Sequence, residues 1–169
     1  MRMFANMQRA LGVTLSAAFA LVLILTLASP AQAIEANRWG WLRHQPTWNN
    51  LIYADYRGPH AARTATTAND ESEHRFIPKE GGAFEIVQST ATWTCLDSNH
   101  ARNAYGLRCN GGDYQRWWVN AVGTGTWGFT VYEIRNKATG LCLDGNNAGA
   151  VYTHPCNRGV FQQWAYQPF

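Results

Sequence analysis

The stretch that decides the fold is YEIRNKATGLCLD at residues 132–144, because FEIVQSTATWTCLD at residues 84–97 repeats it with one residue inserted. Beyond the aspartate that ends each stretch, the same four residue types recur at the same offsets. A cysteine follows at +12, an asparagine at +13, a glutamine at +18 and a tryptophan at +20. These are Cys109, Asn110, Gln115 and Trp117 in one copy, and Cys156, Asn157, Gln162 and Trp164 in the other. Matches at fixed offsets indicate an internal repeat.

A weaker third copy lies upstream. Asp55 is followed by Asn69 at +14 and by Phe76 at +21, which aligns Phe76 with the two tryptophans if one insertion is allowed. In every copy, turn residues interrupt short runs in which apolar and polar residues alternate, a pattern typical of short strands. One such unit cannot bury its apolar face alone, so the sequence predicts an all-β fold, a β-trefoil of three pseudo-threefold repeats. The repeats cover about 38–79, 80–122 and 123–169.

The N-terminal 33 residues predict a secretory signal peptide. Arg2 and Arg9 give a basic start, residues 13–28 form an uncharged and mostly apolar run, and AQA at residues 31–33 has the pattern of a cleavage site. The alternative is an uncleaved membrane anchor, but the run is shorter than the roughly 18 residues that a spanning helix needs. We therefore expect residues 34–169 to form one secreted, extracellular domain without stable membrane insertion.

The charge of the chain gives no support to a polyanionic partner. The whole sequence carries 14 Lys and Arg against 11 Asp and Glu, a formal net charge of +3. Two of the basic residues lie in the predicted signal peptide, so the secreted part has 12 basic residues and 11 acidic ones, or +1. Proteins that bind nucleic acid carry a clustered excess of positive charge. We therefore expect no nucleic acid as partner.

All four cysteines lie in the predicted secreted part, where disulfides are expected. Four cysteines allow three pairings. The separation of 14 positions between Cys95 and Cys109, and again between Cys142 and Cys156, favours one local bridge in each of two copies. Each bridge would close a loop of about 15 residues and stabilise the fold by about 3 kcal/mol. No CxxC motif or closely spaced histidine pair accompanies the cysteines, so no metal site is predicted.

The paired blocks Cys-Leu-Asp, Cys-Asn and Gln-x-Trp resemble the repeat of ricin-B type lectins, which also occurs in carbohydrate-binding modules of secreted bacterial glycosidases. The resemblance is close at residues 135–164, good in the middle copy and recognisable only by alignment in the first. It implies that Trp117 and Trp164 are core residues, with Phe76 in the first copy. It also implies that Gln115 and Gln162 hold turns beside a binding site.

In this family the aspartate of Cys-Leu-Asp accepts hydrogen bonds from sugar hydroxyls, and an aromatic residue two positions before the second cysteine stacks on the sugar ring. Carried over, the resemblance implies a site in the last copy formed by Asp144, His154, Asn157 and Gln162. It implies a second site in the middle copy formed by Asp97, Asn110 and Gln115. There Leu107 takes the stacking position, and that copy lacks the family's aromatic residue. The alternative for each aspartate is a carboxylate that only caps a turn.

These observations predict a secreted protein that binds glycan or polysaccharide without catalysis. The alternative is a β-trefoil without sugar binding that acts by contact with another secreted protein, as an inhibitor or as a toxin or adhesion subunit. The chain contains no GxSxG, HExxH or P-loop motif. We therefore expect neither enzymatic activity nor a cofactor.

Overall fold

The structure is a computed structural model that describes residues 33–55, 58–89 and 93–169. The predicted signal peptide lies outside the described residues except for Ala33. The strands are Trp39–His44 (β1), Asn50–Asp55 (β2), Gly58–Ala65 (β3), Glu73–Pro78 (β4), Phe84–Gln88 (β5), Thr94–Ser98 (β6), Ala104–Arg108 (β7), Trp117–Thr124 (β8), Thr130–Asn136 (β9), Cys142–Gly145 (β10), Val151–His154 (β11) and Trp164–Pro168 (β12). Short 3-10 turns cover Asp70–Ser72, Glu80–Gly82, Asp113–Gln115, Thr126–Gly128 and Val160–Gln162.

Six of these strands pair in a closed antiparallel ring in the order β1, β4, β5, β8, β9 and β12. The remaining strands form three hairpins, β2–β3, β6–β7 and β10–β11. The hairpins also pair with one another, through Ala61 and Tyr105, Arg63 and Ala150, and Asn103 and Tyr152. Closing the ring removes the exposed sheet edges. A six-stranded barrel with three mutually paired hairpins is a β-trefoil, so the predicted all-β class is confirmed.

Two tryptophans fill the barrel at corresponding points of the middle and last copies. The Trp117 indole Nε1 donates to the Leu96 carbonyl at 2.9 Å, and the Trp164 Nε1 donates to the Leu143 carbonyl at 3.0 Å. Both rings are fully buried. A buried indole removes a large apolar area from water, and its N–H needs an acceptor. In both copies, the tryptophan indole thus donates to the carbonyl of the leucine in Cys-Leu-Asp.

The first copy places a different residue in this position. His74 lies opposite Gln88 across β4 and β5, as Trp164 lies opposite His44 across β12 and β1. Phe76 is fully buried in the core but lies two residues further along, opposite Ile86. The alignment of Phe76 with the tryptophans is therefore wrong. The first copy has no cysteine and no tryptophan at the motif position, so its sequence does not show which residue faces Gln88.

Both local disulfides are confirmed. Cys95 is bonded to Cys109 and Cys142 to Cys156, each over a separation of 14 residues. Each bridge ties a hairpin strand to the loop that precedes a 3-10 turn, Asp113–Gln115 or Val160–Gln162. The loops that carry the predicted site residues are therefore covalently held to the hairpins. Among the described residues, no helix has the length and apolar character needed to cross a membrane.

Candidate functional site

The predicted site residues of the last copy come together around Asp144 on β10. Gln162 is fully buried, and its side-chain Nε2 donates to Asp144 Oδ2 at 2.8 Å and to the Pro155 carbonyl at 3.0 Å. Its Oε1 accepts a hydrogen bond from the Asn157 backbone N–H at 2.8 Å. One amide therefore contacts the carboxylate, the end of the strand and the following loop.

Above this carboxylate lies an open cavity of about 250 Å³. Asp144, Tyr152, His154, Asn157 and Phe161 contribute to its lining. Asp144 itself is only 5% exposed, whereas Phe161 is 40% exposed. His154, at the expected stacking position, is also exposed. The cavity thus has a buried carboxylate at its base and exposed rings at its rim.

Tyr152 also lines this cavity, although no sequence motif pointed to it. It lies directly across β10 and β11 from Asp144. Burial raises the pKa of Tyr152, and the charge of Asp144 and a hydrogen bond to its carboxylate raise it further. The phenol therefore stays protonated at neutral pH and donates to Asp144. Tyr105 lies in the same way across from Asp97. Each tyrosine follows its aspartate by eight residues, an offset visible in the sequence but not in the motifs used.

The Asp144 carboxylate keeps hydrogen-bonding capacity after these contacts. An ionised carboxylate offers about four lone-pair sites on its two oxygens. Gln162 and Tyr152 use two of them. The remaining lone pairs can accept hydrogen bonds from two donor groups carried by neighbouring carbon atoms of a ligand. Phe161 and His154 offer apolar surface for the rest of such a molecule.

The middle copy builds a related arrangement around Asp97. Gln115 Oε1 accepts from the Asn110 backbone N–H at 2.8 Å, and Gln115 Nε2 donates to the Arg108 carbonyl at 3.1 Å. Burial raises the pKa of Asp97, while hydrogen bonds from Gln115, Tyr105 and the Ser98 backbone partly offset that rise. The carboxylate is thus held in place, as at Asp144.

The rim of the Asp97 arrangement differs from the rim around Asp144. Leu107 lies opposite Cys95, where His154 lies opposite Cys142 in the last copy. Leu107 is 41% exposed. Tyr114 is 42% exposed and packs edge-on against His100, with ring centroids 5.8 Å apart. A leucine offers no flat face to a ligand, so Tyr114 is the aromatic surface on this side.

The first copy has no carboxylate in the corresponding place. Leu51 lies opposite Thr64 across β2 and β3, as Leu143 lies opposite Thr153 across β10 and β11. Ile52, the residue after Leu51, therefore stands where Asp144 follows Leu143. The Asn69 N–H still finds an acceptor, but this is the Ser72 hydroxyl at 3.1 Å rather than a glutamine. Asp55 lies at the far end of β2.

His44 supports the Asp144 cavity from inside the barrel. It is fully buried, with its Nε2 3.1 Å from the Phe161 carbonyl and its Nδ1 3.3 Å from the Thr47 hydroxyl. Because a carbonyl only accepts, Nε2 carries the proton and donates. A Cβ atom on Gly145 would lie 2.9 Å from that nitrogen, so β10 needs a glycine there. Burial lowers the pKa of His44, and Phe161 and Asp144 offset part of the change.

No protein-family model and no curated protein matches this sequence, whereas solved structures do. ThreeFoil, a designed threefold symmetric protein, is 19% identical, with 78% of this chain and 99% of that chain covered and a TM-score of 0.65. SeviL, a lectin solved bound to asialo-GM1 saccharide, is 14% identical, with 78% and 97% covered and a TM-score of 0.63.

A mosquitocidal holotoxin is 15% identical, with 80% of this chain covered and a TM-score of 0.67. This chain spans only 18% of the length of that toxin. Glycosidases also share the fold, so the likeness does not decide whether the chain is an enzyme. At these identities the comparisons show the fold alone, a β-trefoil.

Proposed function

We propose that this protein is a secreted carbohydrate-binding protein of the ricin-B type that binds glycan or polysaccharide without turnover. In this proposal, three related units in residues 34–169 follow a cleaved signal peptide. The last unit carries the main site and the middle unit a second one. The observation that carries the proposal is the buried Asp144 carboxylate, held by Gln162 at 2.8 Å beneath an open cavity with exposed rings at its rim.

Sugar recognition requires this combination of groups. Two neighbouring hydroxyls donate best to an ionised carboxylate, because charge-assisted hydrogen bonds are about twice as strong as neutral ones. The C–H face of the ring needs a flat apolar partner, which Phe161 and His154 supply. Asn157 adds a polar side chain at the same rim. A single shallow site of this kind has an expected Kd near 1 mM, or about −4 kcal/mol.

The Asp97 arrangement is the second proposed site, formed with Asn110 and Gln115. Its carboxylate and supporting amide match those of the last copy, and Tyr105 takes the place of Tyr152. Two weak sites on one rigid domain raise the retention on a polymer without new contacts, because the second binding event becomes intramolecular. We therefore expect stronger binding to polysaccharides than to free monosaccharides.

A second candidate function is binding to another protein through the middle copy. The observation in its favour is the pair of exposed apolar side chains Leu107 and Tyr114, 41% and 42% exposed, beside Asp97. Tyrosine is enriched in the cores of protein interfaces, and an exposed leucine beside it extends the apolar area. Both candidates are extracellular and non-catalytic, and two disulfides in 136 residues beyond the predicted signal peptide support an extracellular location.

The test is a pull-down on insoluble xylan, chitin, cellulose and galactan with the variants Asp144→Asn and Asp97→Asn. Each substitution keeps the size of the side chain and removes its charge. We expect Asp144→Asn to lower retention about tenfold, since a charge-assisted pair is weakened to a neutral one. The matched control is Glu35→Gln, which removes an exposed carboxylate that pairs with Arg38 and belongs to neither site. Unchanged retention in the double variant Asp144→Asn and Asp97→Asn would contradict the proposal.

A further inference from the structure

A row of aromatic rings with one arginine lies on the outside of the barrel and shares no lining residue with the Asp144 cavity. Trp41 and Arg43 are on the outward face of β1, and Trp48 lies in the turn that follows. The guanidinium carbon of Arg43 is 5.1 Å from the ring centroid of Trp41 and 5.3 Å from that of Trp48. Trp48 packs edge-on against Trp127 at 4.8 Å. We call these four side chains the Trp–Arg surface.

The Trp–Arg surface is held in place by contacts between two turns. Gln45 Nε2 donates to the Thr126 hydroxyl at 2.6 Å, which ties the turn after β1 to the turn before β9. The Phe129 ring lies 5.6 Å from Trp48 beneath the same contact. Trp127 is nevertheless 74% exposed at the top of this arrangement. An indole that is fixed at its base and open at its face is available to a ligand.

Two of the three tryptophans in the Trp–Arg surface occupy backbone positions that suit glycine. Trp48 has φ 59° and Trp127 has φ 54°. The Trp48 N–H donates to the His44 carbonyl as the Gly140 N–H donates to the Asn136 carbonyl in the last copy. A bulky residue in this region is strained, and such strain is concentrated at functional sites. Glycine would be the less strained residue at both positions.

Arg43 is a cation that no carboxylate balances among the residues described by the structure. No ion pair within the described residues includes it, and its buried Nε has no acceptor there. Partial burial lowers the pKa of Arg43, as expected for an unpaired cation. Glu73 is the acidic residue opposite Trp41 in the strand register, yet it forms no ion pair with Arg43. Arg75, stacked on Trp39 at 4.7 Å, adds a second positive charge on the same face of the sheet.

We propose that the Trp–Arg surface is a separate binding site for the uronate rings of an acidic polysaccharide. Guanidinium pairs with a carboxylate through two parallel hydrogen bonds. The exposed indole of Trp127 packs against the C–H face of a pyranose ring in the same chain. Nucleic acid is a poorer fit, because its affinity comes from many phosphate contacts and this surface offers one unpaired arginine with a second nearby.

The experiment measures binding of the intact protein to polygalacturonate at low salt. Two matched ligands accompany it: the fully methyl-esterified polymer, which keeps the rings and loses the charge, and polyglutamate, which keeps the charge and lacks the rings. We expect polygalacturonate to bind at least about tenfold more tightly than either, the usual effect of losing a charge-assisted contact or a stacked ring. Equal binding of the esterified polymer would overturn the proposal, as would equal binding of polyglutamate.

Three variants locate the site. Arg43→Gln and Trp127→Gly are each expected to lower polygalacturonate binding at least about fivefold. Trp127→Gly relieves the strained φ and removes an exposed ring, so we expect its melting temperature to stay unchanged or rise. The matched control is Arg135→Gln, which removes a guanidinium stacked on Trp118 at 5.7 Å elsewhere on the barrel.

The same assay separates this proposal from the carbohydrate sites proposed above. Asp144→Asn combined with Asp97→Asn is expected to lower polygalacturonate binding less than Trp127→Gly does, because neither aspartate belongs to the Trp–Arg surface. If that double variant abolishes binding while Trp127→Gly does not, the acidic polymer occupies the other sites and the proposal is wrong. The proposal would also be overturned if the protein bound phosphatidylcholine vesicles through Trp127 and did not bind polygalacturonate. That result would assign the surface to lipid.

Discussion

Acid is expected to destabilise this protein through one buried histidine of the first copy. His74 is fully buried in the position that tryptophans occupy in the other copies, with the Tyr53 ring 5.3 Å away. Burial lowers the pKa of His74 from 6.5 to about 3, and an interaction with the Ser72 backbone offsets only part of this effect. The folded protein therefore keeps this ring neutral at any pH above about 3.

The magnitude follows from the difference between the folded and unfolded pKa values. Above pH 6.5 the His74 ring is neutral in both the folded and the unfolded state. His74 therefore contributes nothing to the pH dependence of the free energy of unfolding in that range. Below 6.5 only the unfolded chain binds it, and stability falls by about 1.4 kcal/mol for each pH unit. Between pH 6.5 and the folded pKa of about 3, the loss amounts to about 5 kcal/mol. A small domain has a total stability of about 5–15 kcal/mol, so this one residue is enough to approach acid unfolding.

The assay is urea unfolding at several pH values between 7 and 4 for the wild type and for His74→Phe, which keeps an aromatic ring and removes the titrating group. The pKa of His44 is also lowered by burial, but His44 is present in both proteins and cancels in the difference. We expect the stability of the wild type relative to the variant to fall by about 1.4 kcal/mol per pH unit below 6.5. A difference that stays constant to within about 0.5 kcal/mol would refute the reasoning. If the variant does not fold, NMR titration of the wild-type His74 ring decides, since protonation above pH 5 contradicts the burial argument.

Three further predictions concern the last copy. Replacing Cys142 and Cys156 with alanine is expected to lower the free energy of unfolding by about 3 kcal/mol in urea, and a loss below about 1 kcal/mol would count against the loop-closure argument. Gln162→Ala breaks three hydrogen bonds, so the free energy of unfolding is expected to fall by about 3 kcal/mol. Both the melting temperature and the retention on polysaccharide in a pull-down are expected to fall with it. Tyr152→Phe removes the donor to Asp144 and is expected to reduce retention about fivefold while the melting temperature changes little. Full retention in Tyr152→Phe would show that the phenol does not orient the carboxylate.

The residues that were predictable from the sequence are those with strong local constraints. A cysteine pair at a fixed separation predicts its own bridge, and a tryptophan at the same offset in two copies predicts a shared core position. The supporting amides were predictable for the same reason, because Gln115 and Gln162 each close one turn at a constant distance from an asparagine. These constraints act within one copy and therefore leave a pattern in the chain.

The parts that the sequence did not reveal depend on pairing between segments. His74 replaces a tryptophan, and only the register of β4 against β5 shows which residue of the first copy fills the slot. Tyr152 is defined as a site residue by its position across a hairpin from Asp144. The Trp–Arg surface requires two turns about 80 residues apart, joined by the hydrogen bond from Gln45 to Thr126. Contacts of this kind are long-range and have no fixed spacing along the chain.

His44 connects the two proposed binding surfaces physically. Its Nε2 donates to the carbonyl of Phe161 at the rim of the Asp144 cavity, and its Nδ1 is left to accept from the Thr47 hydroxyl, next to Trp48. Protonation would turn Nδ1 into a donor while Nε2 kept its bond, so the contact with Thr47 would survive only if the hydroxyl rotated. Because burial lowers the pKa of His44, it favours the neutral ring and thus this arrangement of both turns. The residue opposite each central tryptophan therefore fixes a neighbouring turn, because His44 donates to the Phe161 carbonyl and Asn136 donates to the Tyr114 carbonyl.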